Sequence, residues 1–208
     1  MLFIVRTIYL NAKRGEFYMQ FITFLTEFIK HPKTIGAISP SSKKLAYKMI
    51  QPICFETAQC IVELGPGMGS FTKELVKRKK PNTWLILIEH NPNFCEKLRQ
   101  QFAHEAYVVV INGSAENLKQ YIDELHIEKI DYVISGLPFT SLKSEVSCCI
   151  LNNVKDCLHN GKFITFQYSL VKKAFFQRYF EDISHEKVWI NMPPAYVFSC
   201  QLGDTRAS

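Results

Sequence analysis

From Cys60 onward, short apolar runs rich in β-branched residues alternate with stretches whose apolar positions recur at helical spacing. The runs are "CIVEL" (60–64), "WLILIE" (84–89), "AYVVVI" (106–111), "IDYVIS" (130–135) and "KFITFQY" (162–168). Between them lie "SFTKELVKRKK", "NPNFCEKLRQQF", "AENLKQYIDELH" and "KSEVSCCILNNVKDCLHN", each able to bury one face. Strands joined through helices cannot be hairpin partners, so this order demands parallel pairing and crossover connections. A further helix is expected over 169–183, in "SLVKKAFFQRYFEDI". Two last strands, "HEKVWIN" (185–191) and "AYVFSCQ" (195–201), flank a tight connection at "MPP". The expectation is an α/β fold with a seven-stranded, mostly parallel sheet and helices on both faces.

A chain of 208 residues that is 47% hydrophobic and 21% charged can bury one sizeable core and is not a disordered tail. Its formal charge of +6 suits a partner rich in phosphate, either nucleic acid or an anionic membrane surface. The seven cysteines include no C-x-x-C pair, which points to reduced thiols in an intracellular protein rather than to disulfides or zinc. "MLFIVRTIYL" is too short for a membrane span and lacks a cleavage site, so no leader is expected. The organisation reads as a helical segment over 1–50, a main domain over 51–202 and a polar tail over 203–208.

Two features mark the first segment. In "FYMQFITFLTEFIK", Phe17, Phe21, Phe24, Leu25 and Phe28 form an aromatic stripe with basic flanks. Such a stripe either packs on the sheet or lies on a membrane surface. In "ISPSSKKLAYKMI", Pro40 opens a helix on which Ser41 and Ser42 either cap free N–H groups or help those amides hold an anion.

The turn "VELGPGMGSFTKEL" (62–75) carries the chemistry. Gly65, Gly67 and Gly69 stand at alternate positions between a strand and a helix, where backbone that tolerates positive φ and close approach is needed. A dinucleotide fingerprint would place its third glycine at residue 70, which is Ser70. The remaining pattern, Glu63 followed by alternating glycines, resembles motif I of class I S-adenosylmethionine-dependent methyltransferases. Glu89 at the end of the next strand stands where a ribose-binding carboxylate belongs, about twenty residues beyond the glycines. "NGSAENL" offers Ser114 where the family usually has an acidic adenine contact. "SGLPF" (135–139) resembles the N-L-P-F motif of ribosomal RNA adenine dimethyltransferases, but the asparagine is Gly136, so the side-chain acceptor for a base edge is missing.

Taken in order, "HPKTIGAISPSSKKLAYKM", "VELGPGMGSFT", "IEHNPNF", "SGLPF", "FITFQYS" and "NMPPAYVF" resemble the bacterial phospholipid N-methyltransferases. That resemblance implies a Rossmann-like class I methyltransferase with an N-terminal amphipathic helix. It implies methyl transfer from S-adenosylmethionine to the amine of phosphatidylethanolamine, towards phosphatidylcholine, leaving S-adenosylhomocysteine. It further implies a peripheral enzyme on the inner face of the cytoplasmic membrane, held by the stripe at Phe17, Phe21, Phe24, Leu25 and Phe28. No nucleic-acid partner and no metal are expected.

On the same basis the cofactor set is Ser41, Ser42, Glu63, Gly65, Gly67, Gly69, Glu89, His90, Ser114, Ala115, Ser135 and Gly136. Glu63 supports the methionine end, Glu89 the ribose, and Ser114 with Ala115 the adenine. Leu137, Pro138, Phe139, Tyr168 and Asn191 form the substrate set, with Phe139 and Tyr168 as the aromatic faces against which the nitrogen is methylated. The base that takes the amine proton is open among Glu116, Asp131, His90 and bulk water. Two rival readings share the cofactor turn. One is a ribosomal RNA adenine N-methyltransferase, against which stand Gly136 and the lack of a basic C-terminal domain; the other is a non-catalytic module that binds cofactor or lipid.

Overall fold

The structure, a computed structural model, describes residues 40–189 and 194–203, with the backbone alone at 40–42 and 159. The first helix, α1 (Pro40–Ile50), precedes seven strands: β1 (Cys60–Leu64), β2 (Trp84–Glu89), β3 (Val108–Asn112), β4 (Ile130–Ser135), β5 (Leu158–Gln167), β6 (Asp182–Val188) and β7 (Ala195–Gln201). The intervening helices are α2 (Ser70–Val76), α3 (Pro92–Gln101), α4 (Leu118–Glu124), α5 (Ser144–Cys157) and the single turn α6 (Lys173–Phe176).

The strands form one sheet in the order β3-β2-β1-β4-β5-β7-β6, parallel except for β7, which runs against both its neighbours. The central strands β1 and β2 are buried on both faces, which is why they read as unbroken apolar runs rather than as alternation. Period-two geometry then sends Ile61, Leu85 and Leu87 to one core with α1, α2 and α3. Val62, Leu64, Ile86 and Ile88 go to the other, with α4, α5 and the turn at Phe176. Helix α3 starts where its sequence says it should: the Asn91 side chain accepts a hydrogen bond from the Asn93 N–H at 2.9 Å, and Pro92 occupies the first turn.

Register fixes where chemistry can gather. Ile111, Ile88, Leu64, Ser135, Thr165, Phe198 and His185 form one continuous row across all seven strands. The residues just beyond that row, at the carboxyl ends of the parallel strands, are Glu89, Gly65 and Gly136. In open α/β sheets ligands bind at this edge, where the strand order reverses between β1 and β4.

Three local readings differ from the sequence expectation. The stretch 169–183 contains only the turn α6, because Phe176 and Phe180 plug the core and Asp182 already starts β6. Strand β5 begins at Leu158, where helical periodicity still ran. Helix α1 packs Leu45, Ala46, Met49 and Ile50 against Ile61, Leu75 and Val197, so it shares the sheet's core rather than standing with the N-terminal segment. The aromatic stripe at Phe17, Phe21, Phe24, Leu25 and Phe28 lies outside the described residues, as does Asn191.

Candidate functional site

The glycine turn is built around a carboxylate. Gly65, Gly67 and Gly69 all take positive φ, at 69°, 57° and 77°. Gly67 is the informative one: a Cβ there would meet nothing within 4 Å, so its glycine answers to conformation and leaves open space above the main chain. Its N–H donates to Glu89 Oε2 at 2.9 Å, while Glu89 Oε1 accepts from the Asn91 N–H at 2.8 Å. Glu89 therefore ties the turn after β1 to the loop after β2. It keeps lone pairs on both oxygens for hydroxyl donors entering that space. Asn112 was not legible as part of the site, yet its Nδ2 donates to the carbonyls of Glu89 and His90, both at 3.1 Å. The exposed His90 thus has a fixed backbone.

Glu63 is fully buried on β1. Its Oε2 accepts from Thr72 Oγ1 of α2 at 2.7 Å, and its Oε1 has no hydrogen-bond partner among the described residues. Burial, and secondarily the nearby Glu89 charge, push the carboxyl up to about 8, partly offset by the Thr72 hydrogen bond. A buried carboxyl with one orphaned oxygen is costly unless a donor or cation arrives to meet it. Thr72 is a positioning residue that sequence reasoning missed; only its place on the inward face of α2 signals it.

Ser114 caps the 3-10 turn Ala115–Asn117: its Oγ accepts from the Glu116 N–H at 3.3 Å and donates to Glu116 Oε2 at 3.1 Å. The expected acidic contact is thus replaced by a serine and glutamate pair at the same strand end, with Ala115 half-buried beside them.

The loop after β4 is tied down on both sides. The Gly136 N–H donates to the Leu64 carbonyl at 2.9 Å, and Ser135 Oγ accepts from the Leu137 N–H at 3.2 Å. Thr165 Oγ1 donates to the Ser135 carbonyl at 3.3 Å. A Cβ on residue 136 would sit 2.8 Å from the Gly65 carbonyl oxygen, so this backbone path has no room for a side chain. The Leu137 carbonyl accepts from the Phe139 N–H at 3.0 Å and from Nε2 of the buried Gln167 at 3.4 Å. The Gly136 carbonyl accepts no hydrogen bond among the described residues. Leu137 instead lays its side chain over Gly65, its Cδ2 standing 2.7 Å from where a Cβ would be.

Two sequence assignments are corrected here. Phe139 is not an open face: it is wholly buried, edge-on to Phe163 at 6.0 Å and to Phe176 at 5.5 Å, so its ring serves the core. Asp131 is no candidate base, because its Oδ2 accepts from the N–H groups of Gln59 and Cys60 at 2.7 and 3.0 Å, at the opposite edge of the sheet. Tyr168 does lie at the working edge, half-buried and edge-on to Phe166 at 5.5 Å. Pro138 holds the turn through its carbonyl, which accepts from the N–H groups of Ser141 and Leu142. Ser41 and Ser42 lie in the first turn of α1, with side chains outside the description.

The seven-stranded sheet with its reversed last strand, the glycine turn and the carboxylate beyond β2 define an S-adenosylmethionine-dependent methyltransferase of Rossmann-like fold. Residues 23–181 match the family described as ribosomal RNA adenine dimethylase, and the chain belongs to that family. It is 34% identical over 184 residues to an ornithine lipid N-methyltransferase of Singulisphaera acidiphila, covering 87% of this chain and 95% of that one. It is 27% identical over 186 residues to the ribosomal RNA small subunit methyltransferase A of Mycoplasma mycoides, spanning 66% of that protein's length. Among solved structures, the N-methyltransferase NodS of Bradyrhizobium japonicum with bound S-adenosyl-L-homocysteine superposes with a TM-score of 0.63 at 11% identity, over 80% of this chain and 89% of that one. A precorrin-6y C5,15-methyltransferase of Geobacter metallireducens gives 0.59 at 14% identity, over 77% and 88%.

With these relatives the chain is an S-adenosylmethionine-dependent N-methyltransferase. Its site fits the cofactor on its own evidence: open space above Gly67, a carboxylate with free lone pairs at Glu89, and the orphaned Oε1 of Glu63. Glu89 would hold the ribose hydroxyls, Glu63 the methionine ammonium, and the Ser114–Ala115 turn the adenine. When bound, S-adenosylmethionine supplies a methyl group on a sulfonium, which is its own leaving group.

Proposed function

We propose that this protein methylates the head-group amine of a membrane aminolipid, working on the inner face of the cytoplasmic membrane. Residue 136 carries the reading. With no side chain there, and no room for one beside the Gly65 carbonyl, a base edge loses its side-chain acceptor. An amine on a flexible head group needs less: one backbone carbonyl to orient an N–H. The Gly136 carbonyl is the acceptor left for it, since that of Leu137 is already taken by Phe139 and Gln167. The lipid-methylating relative, aligned along 95% of its length, supports the same reading. It makes ornithine lipid the first head group to test and phosphatidylethanolamine the second.

Catalysis in such a site rests on orientation, since the chain has only to present a neutral amine in line. A lipid ammonium with a pKa of about 10 must first lose a proton. Glu116 and His90 stand at the working edge to receive it, directly or through water. Tyr168 offers an aromatic wall on which the nitrogen's growing positive charge is favourable.

The test is transfer of labelled methyl groups from S-adenosylmethionine to vesicles containing ornithine lipid or phosphatidylethanolamine, with ribosomal RNA in parallel. Label in either lipid is the expected result. Label confined to RNA would overturn the argument from Gly136 and return the chain to the activity its family is named for.

A further inference from the structure

The large apolar side chains that remain exposed are not scattered. Among the described residues they are Tyr47, Met68, Tyr107, Leu170, Val171 and Trp189, and four of these six stand at the carboxyl edge of the sheet. Met68 is in the glycine turn, Leu170 and Val171 follow β5, and Trp189 follows β6. The register makes this one place. Gln167, Tyr196 and Lys187 form a row across β5, β7 and β6, so the segments leaving β5 and β6 emerge on the same side, two strands apart, roughly 10 Å. Val171 is 78% exposed and Trp189 70%, values at which neither contributes to the core.

Cations accompany both. Lys187 Nζ lies 3.5 Å from the Trp189 ring centroid and 5.4 Å from that of Tyr196, while Lys172 Nζ lies 4.7 Å from that of Phe175. Lys173 adjoins Lys172. The acidic group nearest along β6, Glu186, is paired with Lys48 Nζ at 2.7 Å, and Glu63 and Glu89 are buried. Protruding apolar tips with lysines drawn back over aromatic rings suit one kind of surface, an anionic lipid bilayer. There the tips enter the acyl boundary and the ammonium groups stay at head-group level.

We propose that the segment Leu170–Lys173, which leads from β5 into α6, and Trp189 at the end of β6 together dock the catalytic edge onto anionic bilayers. A docked edge would present the Gly136 carbonyl and the glycine turn to head groups without removing a lipid from the membrane. The inference rests on the lipid reading given above, and it assigns the contact to residues other than the N-terminal aromatic stripe.

The experiment uses the full chain, with the variant Leu170→Ser, Val171→Ser, Trp189→Ser and a second variant, Lys172→Glu, Lys173→Glu. Sedimentation with vesicles of phosphatidylglycerol and phosphatidylcholine should show the apolar variant binding about tenfold more weakly or less still. The charge variant should lose most of the salt-sensitive part of binding. Both should keep wild-type affinity for S-adenosylmethionine, and on a short-chain aminolipid below its micelle concentration they should turn over like the wild type. Wild-type vesicle binding by both variants would overturn the proposal, even if lipid methylation is confirmed. Weakened binding in a protein that methylates no lipid would instead leave the docking surface standing and remove the function proposed for it.

Discussion

Replacing Glu63 with Gln probes the most constrained group in the site. In the folded protein its carboxyl is raised from 4.5 to about 8, first by burial and then by the charge of Glu89. Without cofactor, the native state therefore holds a proton that the unfolded chain has lost over most of pH 5 to 8. A carboxyl raised in this way favours folding fully below its unfolded value, and that contribution is lost as pH rises through about 8. The slope approaches 1.4 kcal/mol per pH unit, so the wild type should lose about 2 kcal/mol between pH 6 and pH 8 from this group alone. Glutamine keeps the shape and the Thr72 hydrogen bond but cannot ionise. The variant should thus gain on the wild type by that amount over the interval, or roughly 4–8 °C in Tm.

Urea and thermal unfolding of both proteins from pH 6 to pH 8 would measure the gap, with every other titrating group cancelling between them. Curves that run parallel would refute the reasoning. Cofactor binding gives a second reading. If the ligand's ammonium meets the orphaned oxygen, Glu63 ionises on binding. At pH 6.5, below the α-amino pKa of about 8, close to one proton should be released per S-adenosylmethionine bound. Calorimetry in buffers of different ionisation enthalpy would show that release in the wild type and none in the glutamine variant.

Glu89→Ala should weaken S-adenosylmethionine by at least tenfold, since it removes the ribose acceptor and frees the N–H groups of Gly67 and Asn91, each worth about 1–3 kcal/mol when left unmet; unchanged affinity by calorimetry would sink the ribose assignment. Phe139→Ala should destabilise the fold by about 3–5 kcal/mol, because it empties the centre of an aromatic cluster. A normal denaturation midpoint with slowed turnover would restore its role as a substrate face. Gly136→Ala should lower kcat, because its Cβ, 2.8 Å from the Gly65 oxygen, forces the two loops apart just where cofactor and amine must meet; wild-type turnover would show that the loop gives way freely.

The class of fold was legible because parallel strands buried on both faces must be apolar runs, and their crossovers must be helices. The glycine turn was legible because positive φ at three alternate positions is a demand few residues other than glycine meet. Other elements misled for equally local reasons. The 169–183 stretch has helical composition, but Phe176 and Phe180 are drawn into a core of phenylalanines from three other segments, and no periodicity along the chain records that competition. Phe139 looked like a site residue because its motif sits at a strand end, yet whether its ring turns outward or inward depends on Phe163 and Phe176, which are distant in sequence.

The sequence by itself determined the sheet, the turn and the carboxylates at the strand ends, because backbone conformation and strand burial are written in neighbouring residues. Only the tertiary structure decided that Glu63 keeps an orphaned oxygen, that residue 136 has no room for a side chain, and that Val171 and Trp189 share an edge. Each of those facts depends on what a residue meets across the sheet, and such contacts join positions that the chain separates by tens of residues.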